Sequence, residues 1–322
     1  DDVVVVLTAS GAAHGGRLGS SSVPAVEPPD VPSAPPDGLG APDRPLGPPV
    51  LGLRVSAPRA ADGAVWWALD VPPDLDGPPG VLQGGLVAAL PLLLAREVDP
   101  FGAPLHHLEV RLAAPTPLGA RLHARARALG TGAHEVELRH GDRLLARGEV
   151  DLTGADPLAA SDLVAIADGP LPVPSPSREY PTCVGCGPDA THAAALHAYP
   201  GWVTDEAVLL GWVPDPRLAD PARPDAIDVA AVAAVLDCAG AWAAFRPARA
   251  AGAAAVLLGT YRFRAAAPVE PLDPVRVAAR LDALEGRRAR VRSAVVDTDG
   301  RVLALVDATH VTVTALPEPP SA

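Results

Sequence analysis

Two of the three cysteines in this 322-residue chain lie close together in sequence. Cys183 and Cys186 form a C-x-x-C pattern, which is typical of metal sites and redox thiols, whereas Cys238 lies in a separate apolar run. A structural zinc site needs two more ligands, and His192 and His197 are the candidates near in sequence. We interpret the pair as reduced thiols in a turn, and we expect neither a metal nor a cofactor.

The second group of candidate functional residues consists of polar residues and glycines that open or interrupt apolar, helix-like segments. Gln83, Gly84 and Gly85 open one such run, where glycine lets another group approach the backbone closely. Asp228 opens a second run, and Asp237 lies within it. Each feature also has a structural interpretation, because a glycine pair can form a tight turn, an aspartate is a preferred helix N-cap, and a buried acid is normally hydrogen-bonded. Both interpretations stay open at this point.

Two common catalytic motifs are absent from the sequence. There is no Gly-x-Ser-x-Gly, the strained turn that exposes the nucleophile of many serine hydrolases. A Walker-type glycine-rich loop for phosphate binding is also missing. The residues named above are therefore the candidates for chemistry.

The elements that position these residues repeat along the chain. Three segments of the first half match three of the second half in the same order: 53–65 with 196–208, 110–115 with 263–268, and 142–146 with 300–304. In each half the pattern predicts two short strands, one helix and three further strands. Apolar and polar residues alternate over 121–128 and 275–282, as in strands with one solvated face. The sequence therefore indicates one supersecondary unit present twice.

The helices are predicted at about residues 84–96 and 229–245, and both are apolar on nearly all sides. Such helices must be buried over most of their surface. Pro91 predicts a kink or a break in the first helix, because proline removes a backbone hydrogen bond.

Composition and charge exclude several partners. With 26 basic and 38 acidic side chains the net charge is −12, which argues against a nucleic-acid partner. The longest apolar stretch, at 86–95, is about half as long as a membrane-spanning helix and contains Pro91, so we expect no membrane span. A signal-peptide pattern is also missing, and we therefore expect a cytoplasmic protein.

Proline and glycine divide the chain into four predicted regions. These are a Pro/Gly-rich N-terminal arm at 1–49, a first unit at 50–154, a Pro-rich linker at 155–178 and a second unit at 179–316. The arm lacks periodicity, and the prolines of the linker make it semi-rigid.

Two short motifs connect these units to a known superfamily. Cys186-Gly187-Pro188-Asp189 precedes the second unit's strands, and an Arg-x-x-x-Pro pattern occurs at 111–115 and again at 264–268. With its helices, the sequence resembles double hotdog proteins, in particular thioesterases of the phenylacetyl-CoA type, whose cysteine-rich start ends in Cys-Gly-Pro-Asp. The resemblance implies an α+β fold, a double hotdog with two antiparallel sheets, each wrapped around a central helix.

The resemblance also implies where the active site lies. In hotdog thioesterases the amino end of one unit's helix faces an acid on the other unit's helix, and the family has His-Gly-Gly with an acid nine residues after the His. The first unit has Gln83 in the His position, keeps both glycines and has Leu92 in the acid position. The second unit has Asp228 in the His position, lacks the glycines and keeps Asp237. The first unit keeps the glycines of the motif and lacks its acid, whereas the second keeps the acid and lacks the glycines. Together the two units would therefore form one composite site.

Each of these residues then receives an expected role. The backbone N–H of Gly85 would polarise an acyl-thioester carbonyl, Gln83 would position the carbonyl or a water molecule, and Asp237 would activate the water or attack directly. The residues expected to contact the substrate are Gly84, Asp228 and Trp242. The implied partner is acyl-CoA or another acyl thioester, and the chain would act as an acyl-CoA thioesterase.

Three alternatives remain beside this interpretation. A homologue that kept the pocket and lost the chemistry would bind an acyl group or acyl-CoA without turnover. A purely structural scaffold would show no acyl affinity. Hotdog hydratases and dehydratases need an Asp–His or His–Glu pair around the helix start, and neither predicted helix contains a histidine, which disfavours hydration. The sequence leaves open whether two chains associate as a homo-oligomer.

Overall fold

The computed structural model describes residues 34–98, 107–152, 158–176 and 178–316. Its helices are α1 (Gly84–Val98), α2 (Ser161–Ala167) and α3 (Val229–Ala250), with short 3-10 turns at Pro49–Leu51 and Pro216–Leu218. The strands are β1 (Arg44–Pro45), β2 (Arg54–Val55), β3 (Arg59–Ala61), β4 (Ala64–Asp70), β5 (His107–Leu112), β6 (Arg121–Gly130), β7 (Ala133–His140), β8 (Arg143–Asp151), β9 (Gly201–Thr204), β10 (Ala207–Trp212), β11 (Ala219–Asp220), β12 (Arg223–Ile227), β13 (Ala255–Ala265), β14 (Val275–Glu285), β15 (Arg288–Val296) and β16 (Val302–Val313).

One large antiparallel sheet contains 14 of these strands. Its strand order is β1-β2-β4-β6-β7-β8-β5-β13-β16-β15-β14-β10-β9, with β3 paired to β4, while β11 and β12 form a separate hairpin. The predicted α+β class is confirmed. The sequence predicted two separate sheets, whereas β5 and β13 pair along their edges, for example Val110 with Tyr261, and make the sheet continuous. This pairing satisfies backbone groups that two free strand edges would leave unpaired.

The two halves of the sheet have the same strand order, read from opposite ends. The first half runs β4-β6-β7-β8-β5, and the second runs β10-β14-β15-β16-β13. The sequence segments that match each other also lie on corresponding elements, since 53–65 reaches β4 where 196–208 reaches β10, and 142–146 enters β8 where 300–304 enters β16. In each half one core helix lies between two sets of strands, as expected, but four strands precede it where the sequence predicted two, and four follow it where the sequence predicted three.

Helices α1 and α3 lie side by side in the core, and each packs against strands of its own half. Their close approach depends on Gly85, because a Cβ at this position would overlap the carbonyl group of Ala233 on α3. Helix α1 runs without interruption through Pro91, where the sequence predicted a kink or a break. Gly148 on β8 leaves room for the proline ring, since a Cβ there would lie 2.9 Å from Pro91 Cβ.

Helix α3 is long and apolar enough to cross a membrane by length and composition, and 89% of its most apolar window is buried inside the protein. The chain therefore uses this helix as a core helix. Helix α3 is longer than the apolar stretch at 86–95, which was the basis for expecting no membrane span from the sequence.

The predicted linker contains helix α2, which packs on the outer face of the sheet. Leu163 and Ala167 of α2 are buried against Ala278 and Ala294 on β14 and β15. This contact explains why β14 has apolar residues on both faces where one solvated face was predicted. Most of the predicted N-terminal arm, residues 1–33, lies outside the described residues, and β1 at Arg44–Pro45 already pairs with β2 before the predicted start of the first unit.

Candidate active site

Gln83 closes the amino end of α1. Its side-chain Oε1 accepts a hydrogen bond from the Leu86 amide at 2.8 Å, and its carbonyl oxygen accepts one from the Val87 amide at 3.1 Å. Gln83 is itself held by its backbone amide, which donates to the Leu75 carbonyl at 3.0 Å. The first amides of a helix have no partner within the helix, so a side chain that accepts from one of them stabilises this end. Gln83 therefore acts as the cap of α1 and is fixed in place.

Asp237 reaches this end of α1 from the middle of α3. Its Oδ2 accepts hydrogen bonds from Gln83 Nε2 at 2.7 Å and from the Gly85 amide at 2.9 Å. The carboxylate is buried, with 7% of the residue exposed. The structure thus brings Gln83, Gly85 and Asp237 into direct contact across the two halves of the chain. The negative charge lies at the amino end of α1, where the helix dipole stabilises it.

His310 completes the set of groups around this carboxylate, and sequence reasoning missed it. It lies on β16, and its Nε2 is 3.0 Å from Asp237 Oδ1. An ionised carboxylate can only accept hydrogen bonds, so we assign the proton to Nε2 as the donor. The other ring nitrogen, Nδ1, is buried and has no hydrogen-bond partner among the described residues, which fits an unprotonated nitrogen. A signal was present in the sequence, because His310 continues the alternation of Val306 and Ala308, which lie on the buried face of β16.

A cavity of about 420 Å³ opens at these residues. Gln83, Gly84, Asp237 and His310 line it together with mostly apolar side chains. Gly85 does not line the cavity, because α3 covers it and Asp237 occupies its amide. The amino end of α1 therefore meets the cavity at Gly84, one residue before the position to which the sequence assigned the polarising amide.

The remaining predicted substrate contacts divide into two groups. Trp242 lines the cavity, and its Nε1 donates to Cys186 Sγ at 3.4 Å. Asp228 is outside the cavity lining, and its side chain accepts from the Ala230 amide at 2.8 Å. The N-cap interpretation of Asp228 is thus confirmed. Burial raises the pKa of Asp228 to about 6, although the nearby Arg96 guanidinium acts to lower it.

At the amino end of α3, which corresponds to the amino end of α1, no described residue lining the cavity is a carboxylate equivalent to Asp237. A cavity of about 220 Å³ lies there, beside the amino end of α3, and Arg223 is the one charged residue among the described residues that line it. Leu92, in the position that corresponds to Asp237, is buried in the core of the protein. Of these two cavities at the helix ends, only the one at α1 has a carboxylate among its described lining residues.

The three cysteines also meet at the larger cavity. Cys183, Cys186 and Cys238 are buried, free and part of its lining. Hydrogen bonds from the thiols of Cys186 and Cys238 lower the pKa of Cys183 well below its usual value. The sequence gave no sign that Cys238 joins the C-x-x-C pair, since 52 residues separate it from Cys186.

No family model matches the chain, and no curated protein sequence does. Solved structures do match it. A protein from Alicyclobacillus acidocaldarius, described as having a hot dog fold, is 13% identical with a TM-score of 0.54, over 80% of this chain and 96% of that one. The chain has a hotdog fold. This confirms the fold family that the sequence motifs indicated.

Two further matching structures are described with different activities. A protein from Novosphingobium aromaticivorans described as a candidate thioesterase is 22% identical with a TM-score of 0.55, covering 79% of this chain and 98% of that one. The dehydratase domain of PpsC from Mycobacterium tuberculosis, solved in complex with C12:1-CoA, is 16% identical with a TM-score of 0.55, covering 83% and 100%. At these identities the similarity establishes the hotdog fold alone.

Proposed function

We propose that the chain is a double hotdog that hydrolyses an acyl-CoA thioester at one composite site between its two halves. The repeated strand order and the matched sequence segments support two diverged copies of one hotdog unit. The observation that carries the activity is the contact between the Asp237 carboxylate of the second half and the capped amino end of α1 in the first half. These groups lie in one cavity, where a thioester can reach both.

The residues support a hydrolysis through activated water. The carbonyl oxygen of the thioester lies at the amino end of α1, beside Gly84, where the helix dipole polarises the C=O bond. Asp237 takes a proton from a water molecule while the water oxygen bonds to the carbonyl carbon. The C–S bond then breaks, and the proton passes to the departing thiolate, so the products are a carboxylic acid and a thiol. Gln83 and His310 hold the carboxylate in position through Oδ2 and Oδ1.

The asymmetry of the two cavities supports a single site. The smaller cavity lacks a carboxylate among its described lining residues, and Asp228, at the amino end of α3, is occupied as an N-cap. Asp228 also lies 3.6 Å from Arg96 of α1, whose other nitrogen is paired with Asp220. Ion pairing therefore occupies the place where the mirror-related site would lie.

A dehydratase is the second candidate, because the structure pairs Asp237 with His310. An acid and a base in one cavity can remove water from a 3-hydroxyacyl thioester. The sequence disfavoured this reaction because neither predicted helix contains a histidine. In the structure the histidine comes from the last strand instead. We rank hydrolysis first for two reasons. Asp237 and His310 are hydrogen-bonded to each other, and of the two only Asp237 also lies at the amino end of α1, where the thioester carbonyl would bind.

The experiment compares acyl-CoAs of short, aromatic and long acyl groups with 3-hydroxyacyl-CoAs of matched length, using release of free CoA thiol and formation of the enoyl product as readouts. We expect CoA release from at least one unsubstituted acyl-CoA and its loss, by about 100-fold or more, in Asp237→Asn. Asp282→Asn is the matched control, because Asp282 is an ion-paired carboxylate on β14 outside the larger cavity's lining. Thermal unfolding confirms that both variants fold.

Three outcomes would contradict hydrolysis. Enoyl product without CoA release would assign the chain to dehydration. Saturable acyl-CoA binding that raises the unfolding temperature without turnover would assign it to the non-catalytic binding homologues. Full activity in Asp237→Asn would remove the carboxylate from the mechanism.

A further inference from the structure

The three cysteine sulfurs form a cluster with the dimensions of a metal–thiolate site. Cys183 Sγ lies 3.9 Å from Cys238 Sγ and 3.7 Å from Cys186 Sγ. All three sulfur atoms lie within 4.8 Å of one another. Zinc–sulfur bonds of about 2.3 Å at tetrahedral angles place sulfur atoms ~3.8 Å apart. Two of the three sulfur–sulfur distances therefore match those of sulfurs bound to one ion.

Two of the three sulfurs also have an N–H donor directed at them. The backbone amides of Gly185 and Cys186 donate to Cys183. Trp242 Nε1 donates to Cys186 Sγ at 3.4 Å. Gln83 Nε2 is 3.6 Å from Cys238 Sγ, but its two protons have nearer acceptors in the Asp237 carboxylate and the Ala234 carbonyl. N–H donors stabilise thiolates over thiols, and such outer contacts orient the ligands of metal sites. Buried thiols that served only as packing would need no such donors.

The backbone around the pair is shaped to let the third cysteine approach. A Cβ at Gly185 would overlap Cys238 Sγ, so only glycine allows this sulfur to reach the C-x-x-C turn. A Cβ at Gly187 would overlap the Pro181 carbonyl, so the second glycine keeps the turn tight. The two histidines near in sequence bond elsewhere: His192 Nδ1 accepts from the Ala194 amide at 3.0 Å, and His197 Nδ1 lies 2.8 Å from the Tyr199 hydroxyl.

From this geometry we infer that Cys183, Cys186 and Cys238 bind one zinc ion, whose fourth coordination position faces the cavity. Thiolates are soft ligands that select zinc and copper(I) over magnesium or calcium, and zinc commonly binds to three protein ligands with an exchangeable fourth. All three cysteines line the cavity, so water or a small sulfur ligand can occupy that position. The ion would join the turn at 183–187 to α3 directly beside Asp237.

Metal analysis of the full chain, purified under reducing conditions from zinc-supplemented cells, tests this inference. We expect about one zinc per chain by elemental analysis, and zinc K-edge absorption with three sulfur neighbours at ~2.3 Å and one lighter neighbour. Since the chain has three cysteines in total, three sulfurs per zinc account for all of them. Cys183→Ser, Cys186→Ser and Cys238→Ser should each lose most of the bound zinc, whereas His192→Ala and His197→Ala should keep it.

If the serine variants fail to fold, the zinc content and absorption spectrum of the wild-type chain still decide the question. A reduced wild-type chain without stoichiometric zinc, one that instead retains copper, or a Cys183–Cys186 disulfide found by mass spectrometry would overturn the site. Loss of zinc in the histidine variants would assign the ion to other ligands. The readout needs no substrate, so it is independent of the proposed hydrolysis, and Asp237→Asn is expected to keep its zinc even where hydrolysis is lost.

Discussion

Three different elements hold the Asp237 carboxylate in place. Gln83 reaches it from the segment before α1, Gly85 from within α1, and His310 from β16. A carboxylate with both oxygens occupied has little rotational freedom, which is the condition for a base that must approach one water molecule at a fixed angle. The structural interpretation of Asp237 as a buried, hydrogen-bonded acid therefore agrees with the contacts. Among the described residues its hydrogen-bond partners are a side-chain amide, a backbone amide and an imidazole, with no arginine.

His310 is expected to act as a positioning residue. In His310→Ala, loss of the Nε2–H contact to Oδ1 should lower kcat for acyl-CoA hydrolysis by about 100-fold with little change in KM, because the carboxylate loses its fixed orientation. His310→Gln should recover most of kcat, since an amide nitrogen can donate from nearly the same place. Steady-state kinetics on the two variants provide the measurement.

The control for this pair is His123→Gln, at a half-buried histidine on β6 outside the larger cavity's lining, which should leave both constants unchanged. If glutamine fails to restore kcat while the variant remains folded, His310 transfers a proton itself, and the dehydratase candidate gains support.

At the scale of elements, the contact between α1 and α3 decides which groups can meet. The two helices are in close contact at Gly85, where a Cβ would overlap Ala233 and Ala234 of α3. This approach carries Asp237, which follows one turn later on α3, to the amino end of α1. A larger side chain at the helix start would separate the carboxylate from the amides that hold it.

Gly85→Ala is therefore expected to lower the free energy of unfolding by about 1–3 kcal/mol, because the added methyl group overlaps the Ala233 carbonyl and forces the helices apart. Urea unfolding of the purified variant measures this loss. Gly130→Ala at the end of β6 is the matched control, since a Cβ there meets nothing within 4 Å, and its effect should stay within about 0.5 kcal/mol. Equal stability of the two variants would show that α1 and α3 can adjust without cost.

The N-cap of α3 is expected to make the stability of the protein depend on pH. Burial raises the pKa of Asp228 to about 6 in the folded chain, from an ordinary value of 3.8, despite the opposing effect of Arg96. The folded chain therefore binds a proton at Asp228 more tightly than the unfolded chain does. The contribution of Asp228 to the free energy of unfolding is fully present below about pH 4. It is lost as the pH rises through about 6, and the loss is about 3 kcal/mol at most.

Asp228→Asn should remove this dependence, because asparagine is also a good N-cap and does not titrate. We expect the variant to match the wild type near pH 4 and to exceed its free energy of unfolding near pH 7. Denaturant unfolding of both proteins across this range provides the comparison, and titrations common to both proteins cancel in the difference. A difference that is constant with pH would show that Asp228 has the same pKa in the folded and unfolded chains.

At the scale of the whole molecule, the larger cavity belongs to both halves of the chain. Gln83 and Thr116 line it from the first half, and Asp237 and Arg287 from the second. Arg287 is exposed, and its Nε donates to the Thr312 carbonyl at 3.1 Å, which holds the guanidinium near the cavity. Coenzyme A carries phosphate groups, which guanidinium groups bind well.

Arg287→Ala is therefore expected to raise KM for acyl-CoA several-fold while leaving hydrolysis of the same acyl group on N-acetylcysteamine unchanged, because the short thiol lacks phosphates. Kinetics with both thioesters measure the difference. Arg288→Ala changes the neighbouring exposed arginine, which is not part of the cavity lining, and should affect neither substrate. An equal loss on both thioesters would place Arg287 at the acyl group or in the fold.

The sequence by itself determined the two core helices and the repeated pattern of strands around them, but not α2 or the full number of strands. Apolar runs predicted α1 and α3 within a few residues, and alternation predicted β6 and β14. These signals are local, because helix and strand periods depend on neighbouring residues along the chain. The resemblance to hotdog thioesterases also selected Gln83 and Asp237, which do meet.

Only the tertiary structure decided which distant residues join them. His310 and Cys238 reach the cavity because β16 and α3 are packed together, and no spacing in the sequence encodes that distance. The joining of the two halves into one sheet likewise depends on two strand edges whose backbone groups pair irrespective of their side chains. Polar groups gather at this seam because the glycines there let two buried helices approach, and this is a property of packing between elements that the pattern within each element does not contain.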